Sequence, residues 1–297
     1  MIMKADYLVP VVTILTDDLK IDEAANIKLW NNVINNGLDG IVLLGSTGEF
    51  SQLTFEQRKQ LIALAGREIA GRTRLIVGTG CESLDETVEL SNFAAEQGAD
   101  GVIVLTPYYF FLGQKGIEEF YDSVMERINI TLYLYNYPER TNQDITPDTV
   151  YSLLKKHYPK IKGYKDSVGS PSHTRELIIK IKPEFPRFEI YCGMDENFVA
   201  NCLGGGDGVI GALGNIDPVL SYSMKKALEN EDFSKVCELQ KKFNNMARIF
   251  EITKPYIPAV KTAMVLKGFP MDDICMCPFG RSDNNQRDKI SRILRAY

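Results

Sequence analysis

The chain has 297 residues and a formal net charge of -5, with 44% hydrophobic and 25% charged residues. That acidity leaves no basic stripe to follow a phosphate backbone, which argues against nucleic acid as a partner, and no run of about 18 uncharged apolar residues reads as a membrane span. Six cysteines (Cys81, Cys192, Cys202, Cys237, Cys275, Cys277) are spread too widely for a disulfide framework or a zinc spacing. The start, Met1-Ile2-Met3-Lys4-Ala5-Asp6, lacks the basic and apolar stretches of a secretory leader, so a cytoplasmic protein is expected.

Short apolar, β-rich runs recur about every 30 residues between amphipathic stretches, the pattern of parallel βα units. In chain order the predicted strands are Leu8-Thr13, Gly40-Leu44, Arg74-Gly78, Gly101-Leu105, Thr131-Tyr135, Ile161-Lys165, Glu189-Cys192 and Gly208-Ile210. Helices are predicted between them, for example over Thr54-Ile69 and Ser83-Gln97, where the apolar positions share one helical face. Thr54-Phe55-Glu56-Gln57 and Ser83-Leu84-Asp85-Glu86 both resemble capping boxes. Eight strands in this alternation predict a (β/α)8 TIM barrel over residues 1–215, with 216–297 as a C-terminal helical extension packed on the barrel. A doubly wound sheet would want a glycine-rich phosphate turn after the first strand, and Val11-Val12-Thr13-Ile14-Leu15 has none. The run Leu203-Gly204-Gly205-Gly206-Asp207-Gly208 precedes its strand and lacks a P-loop ending, so close packing explains it better than phosphate binding.

Functional groups of a parallel barrel sit at the C-terminal strand ends. There the second strand carries Gly45-Ser46-Thr47-Gly48-Glu49, the fourth Thr106-Pro107-Tyr108-Tyr109, and the fifth Tyr135-Asn136-Tyr137-Pro138-Glu139-Arg140. The sixth supplies Lys165 and the seventh Gly193-Met194-Asp195-Glu196. Only His157 and His173 are present, which leaves few candidates for histidine-based or metal chemistry, whereas a lysine that forms a Schiff base needs neither histidine nor metal. Taken alone, Lys165 reads as a surface lysine packing its stem at a strand end, and the surrounding motifs have to overturn that reading. Tyr135, one strand earlier, brings a hydroxyl near the ammonium or else buries its ring in the core. Ser46 and Thr47 can present hydroxyls and backbone N–H groups to a carboxylate, or form an ordinary helix start. Arg140 is a bidentate partner for a carboxylate or a solvated loop residue. Asp195 and Glu196 accept from polyol hydroxyls or favour a helix start, and the carbonyls of Gly193 and Ile210 line the expected pocket.

In their order and spacing these motifs resemble the dihydrodipicolinate synthase and N-acetylneuraminate lyase family of pyruvate-dependent class I aldolases, over nearly the whole chain. The residues that carry the resemblance are Gly45-Ser46-Thr47-Gly48-Glu49, Thr106-Pro107-Tyr108-Tyr109, Tyr135-Asn136-Tyr137-Pro138 with Arg140, Gly163-Tyr164-Lys165 and Gly204-Gly205-Gly206-Asp207-Gly208. The resemblance implies that Lys165 forms an imine with pyruvate, without metal or other cofactor, and that Tyr135 transfers protons. It implies that Ser46 and Thr47 hold the pyruvate carboxylate and that Tyr109 reaches into a neighbouring subunit's site. A homotetramer built as a dimer of dimers follows from the same likeness.

Within the family, Lys165-Asp166-Ser167, Ser46 and Cys192-Gly193-Met194-Asp195-Glu196 look closer to 2-keto-3-deoxy-sugar-acid aldolases than to the lysine-biosynthetic synthases. The expected reaction is therefore reversible cleavage of a 2-keto-3-deoxy sugar acid to pyruvate and an aldehyde, with Ser167, Arg140, Asp195 and Glu196 reading the aldehyde half. Arg140 points instead to a synthase that condenses pyruvate with aspartate semialdehyde, and Asp195-Glu196 is also similar to the N-acetylneuraminate lyases. Phe55 and Glu82 stand where many synthases carry polar groups for feedback lysine. Millimolar lysine is accordingly expected to leave steady-state turnover unchanged, and clear inhibition would defeat that expectation.

Overall fold

Eight parallel strands close into a barrel in sequence order, each pairing with the next and the last with the first. They are β1 (Asp6–Pro10), β2 (Gly40–Leu43), β3 (Arg74–Gly78), β4 (Gly101–Leu105), β5 (Leu132–Asn136), β6 (Ile161–Asp166), β7 (Glu189–Cys192) and β8 (Gly208–Ile210). The computed structural model describes residues 3–296; Met1, Ile2 and Tyr297, which enter the readings of the N-terminus and of the two ranges above, lie outside them. Among the described residues no helix is long and apolar enough to cross a membrane. The strand residues are buried almost without interruption, as expected when helices cover the outside of a parallel sheet and side chains fill its centre.

The first strand departs most from expectation, ending at Pro10 where the apolar run continues to Thr13. Val11 N–H still donates to the Val42 carbonyl of β2 at 3.2 Å, and beyond it the backbone finds side-chain amides in place of a neighbouring strand. Val12 N–H donates to Asn215 Oδ1 at 3.1 Å and Ile14 N–H to Asn26 Oδ1 at 3.1 Å. Buried backbone must be satisfied, and here two asparagines do so without a ladder. At the other end, β5 and β6 each run one residue beyond the expected limit, to Asn136 and Asp166.

The helix Phe55–Ile69 begins with a complete capping box between Thr54 and Gln57. At Ser83 the hydroxyl accepts from the Glu86 N–H at 3.5 Å, so the cap of Leu84–Glu96 is the simpler, one-sided kind. After β8 the chain is helical: Pro218–Glu229 packs on β1 and on Phe233–Ala247, and Ile257–Leu266 packs on Leu213–Ile216 and on Asn284–Arg295.

One buried ion pair joins this helical region to the barrel mouth. Lys261, on Ile257–Leu266, lies 2.5 Å from Glu49 Oε1, and both side chains are fully buried. Glu49 closes the loop after β2 in a left-handed conformation, φ 59°, and its second oxygen accepts from Met276 N–H at 2.7 Å. Lys261 also donates to the Ile274 carbonyl at 2.6 Å. Breaking such a pair from one side strands a charge away from water. Lys261→Met is expected to destabilise the protein by about 3–5 kcal/mol in chemical denaturation, and adding Glu49→Leu to it should recover much of that loss.

Candidate active site

Alternation along β6 decides which side chains enter the barrel. Residues two apart share a face, so Gly163 and Lys165 face inward together while Tyr164 and Asp166 face the helical layer. A Cβ at Gly163 would meet the Tyr133 ring at 2.6 Å and the Glu189 carbonyl at 2.8 Å, so only glycine lets Tyr133 fill the barrel below the lysine. In the β5–β6 register Tyr135 is paired with Lys165. The result is a short contact: Lys165 Nζ donates to the Tyr135 hydroxyl at 3.2 Å, and the lysine is only 4% exposed. Ser46 Oγ lies 3.3 Å from the same hydroxyl.

The neighbours of the Tyr135 phenol set its acidity. Burial pushes its phenol up, but the Lys165 ammonium and hydrogen bonds from Ser46, Ser167 and Lys165 outweigh burial and hold it below the usual phenol range. A phenol so tuned gives up and retakes a proton more readily than a free one.

A cavity of about 760 Å³ opens above this pair. Ser46, Thr47, Tyr135, Arg140, Lys165, Ser167, Gly193, Asp195, Glu196 and Ile210 all line it. Gly193 is again a close-approach position, since a Cβ there would meet Ser167 Oγ at 2.1 Å. Thr47 lies in the short 3-10 turn Ser46–Gly48, a turn pinned where Thr13 Oγ1 donates to the Gly48 carbonyl at 2.7 Å. Arg140 belongs to the single turn Pro138–Thr141, and its guanidinium stands 5.6 Å from the Tyr137 ring centre. Asp195 is tied down: Tyr7 donates to it through a short hydrogen bond and Leu213 N–H through one of 3.2 Å. Burial pushes its carboxyl up to about 7, with Glu196 adding to the rise and the hydrogen bonds opposing it. Glu196 stands beside it at the mouth.

Tyr109 is the exception. It is 78% exposed and does not line the cavity, and it lies in a loop with Phe110 and Phe111, each more than 70% exposed. That loop is held by Glu82, which accepts from the backbone of Tyr108 at 2.9 Å and of Tyr109 at 3.4 Å.

Two features escape sequence reasoning. The C-terminal helices supply a wall of the cavity through Phe250, Thr253, Lys254 and Tyr256, and Tyr256 OH lies 2.8 Å from Thr47 Oγ1. In the sequence the Pro255/Pro258 pair only punctuates the helical tail, and nothing local tells that this break faces the mouth. The second feature lies behind the lysine. Asp166, fully buried, accepts from His173 Nδ1 at 2.8 Å, Thr174 Oγ1 at 2.7 Å and Asn136 Nδ2 at 3.2 Å. His173 Nε2 meets Asp144 at 3.1 Å, and Asn136 donates to Asp144 at 2.7 Å. The network thus ties the residue after Tyr135 to the residue after Lys165. Among the described residues no group of three or more His, Cys, Asp or Glu is arranged to hold a metal ion.

Hydrogen bonds to Asp144 and Asp166 raise the His173 pKa to about 10, against the lowering effect of burial. Because the folded value lies above the unfolded one of about 6.5, the stability this histidine contributes is complete below pH 6.5 and fades as pH rises through 10. His173→Asn should therefore lower Tm more at pH 6 than at pH 10.5. An equal loss at both pH values in thermal melts would contradict this.

The Dihydrodipicolinate synthetase family model matches residues 3–297. YjhH of Escherichia coli, named a probable 2-dehydro-3-deoxy-D-pentonate aldolase, is 32% identical over 287 residues, 97% of this chain and 95% of that protein. YagE of Escherichia coli, named provisionally as a 2-dehydro-3-deoxy-D-gluconate aldolase, is 33% identical over 286 residues, 96% of this chain and 94% of its own. The crystal structure of YagE in complex with pyruvate superposes with a TM-score of 0.95 at 32% identity, covering 98% of each chain. Dihydrodipicolinate synthase from Bacteroides thetaiotaomicron follows at a TM-score of 0.92 and 28% identity over the full length of both chains. With the barrel, the strand-end lysine and these likenesses together, the chain belongs to the dihydrodipicolinate synthetase family.

Proposed function

We propose that the protein is a class I lyase that reversibly cleaves a 2-keto-3-deoxy sugar acid to pyruvate and an aldehyde through an imine on Lys165. The observation that carries this reading is the Lys165 Nζ to Tyr135 hydroxyl contact of 3.2 Å, in a cavity also lined by Ser46 and Thr47. The sugar-acid substrate is supported by the likeness to YjhH and YagE.

In the proposed reaction the unprotonated Lys165 amine attacks the C2 ketone while the substrate carboxylate accepts hydrogen bonds from the 46–47 turn. Tyr135 delivers a proton to the carbinolamine hydroxyl, which leaves as water, and the lysine nitrogen becomes an iminium. That iminium is an electron sink. The C3–C4 bond breaks as the C4 hydroxyl gives its proton to the Tyr135 phenolate, and the bonding pair becomes the enamine double bond. The aldehyde departs, the enamine carbon takes the proton now held by Tyr135, and water adds to the resulting iminium as it gives a proton back to the Tyr135 phenolate, so that pyruvate and the free lysine are released. The Lys165 charge beside Tyr135 favours the phenolate needed for C–C cleavage.

Arg140, Ser167, Asp195 and Glu196 face the aldehyde half. Arg140 is also what a synthase would use for the carboxylate of aspartate semialdehyde, so the two substrates compete for the same assignment. Tyr109, with its aromatic neighbours, is proposed to cross to another subunit's site in a cytoplasmic homotetramer, where it would extend the relay from Ser46 and Tyr135.

Borohydride reduction in the presence of pyruvate should add one pyruvate-derived mass increment at Lys165, and its absence would sink the imine mechanism. Lys165→Ala should abolish turnover, while Tyr135→Phe should lower kcat by roughly 10²–10⁴-fold. A coupled assay over keto-deoxy sugar acids, N-acetylneuraminate and aspartate semialdehyde then identifies the aldehyde half.

A further inference from the structure

Tyr256 belongs to neither the strand-end constellation nor the barrel. It stands at the start of Ile257–Leu266, half-buried on the cavity wall, with its hydroxyl 2.8 Å from Thr47 Oγ1. Its ring is held edge-on by Phe250, at a centroid distance of 5.7 Å. Lys261, on the same helix, fixes Glu49 two residues beyond Thr47. One helix therefore grips both ends of the segment that carries the Thr47 hydroxyl.

A threonine hydroxyl has one proton to give and two lone pairs to fill. If a neighbouring donor fills one lone pair, rotation about the C–O bond is restricted and the proton is turned elsewhere. We propose that Tyr256 is a positioning residue for substrate: its phenol donates to Thr47 Oγ1 and so turns the Thr47 hydroxyl proton toward the pyruvate carboxylate in the cavity. The inference rests on the carboxylate-binding role given to Thr47 above and adds a residue of the helical extension to that subsite.

Tyr135 and Tyr256, both on the cavity wall, sit in opposite environments, which fits a division of labour. Burial, together with neighbouring Tyr135 and Tyr137, pushes the Tyr256 phenol up, while the lysine ammonium draws Tyr135 down. Environments that push two titratable groups apart assign them different roles. Tyr256 keeps its proton and donates it as a fixed hydrogen bond; Tyr135 exchanges its own.

The test is borohydride trapping of Lys165 over a range of pyruvate concentrations, combined with steady-state kinetics of cleavage. Tyr256→Phe deletes the hydroxyl and keeps the ring. The half-saturating pyruvate concentration should rise roughly three- to tenfold, the range expected for one lost hydrogen bond, and KM should rise by a larger factor than kcat falls. Tyr135→Phe should show the opposite split. In a Thr47→Val background Tyr256→Phe should have no further effect, whereas in Thr47→Ser, which keeps a hydroxyl, its effect should persist. Additive losses with Thr47→Val, or an unchanged half-saturation in Tyr256→Phe while the wild type is trapped, would overturn the positioning role alone. No trapping in the wild type would overturn that role and the imine reading together.

Discussion

The pairing of Tyr135 with Lys165 across β5 and β6 is the constraint on which the site depends. In a parallel ladder, register fixes both the height of a side chain above the barrel floor and the face on which it emerges. A slip of one residue in either strand would turn the amine or the phenol into the helical layer. Keeping both inside requires room beneath them, and that room comes from Gly163, which lets Tyr133 lie across the barrel where a larger residue would block it.

Register is defended by polar groups that never enter the cavity. Asp166 and Asn136 each follow a mouth residue and each face outward, where His173, Thr174 and Asp144 satisfy them. Buried polar groups that satisfy one another specify a single arrangement, because any shift leaves a donor or acceptor unpaired. The Lys261–Glu49 pair works in the same way on the facing wall, through charges with no access to water. Two separate outer networks thus hold the lysine–tyrosine side and the Ser46–Thr47 side of one cavity.

Much of this was legible in the sequence. Strand period and spacing reveal the barrel, and the ends of those strands point to Lys165, Tyr135, Ser46, Thr47 and the 193–196 segment, because strand-end placement follows from local pattern alone. Contacts across long separations were not legible. Tyr256 reaches Thr47 from 209 residues away, and only the path of the C-terminal helices brings it there. His173 is unremarkable in the sequence for a related reason: its partners come from β6 and from the loop after β5, two segments that meet only when β5 pairs with β6. The end of β1 is not legible either, because an apolar run carries no sign that Asn26 and Asn215 will replace a strand as its hydrogen-bond partners.

The Glu49–Lys261 contact also bears on modularity. Barrels are often pictured as self-sufficient scaffolds to which later segments are appended, yet here a carboxylate of the second strand's loop is neutralised by a cation encoded 212 positions downstream. Removing the helices that follow β8 would leave a bare anion beneath the barrel mouth and strip one wall of the cavity above it. Recombination between relatives is therefore constrained at this seam: a chimaera joined after β8 inherits a working site only if both parents agree on the charges that meet across it.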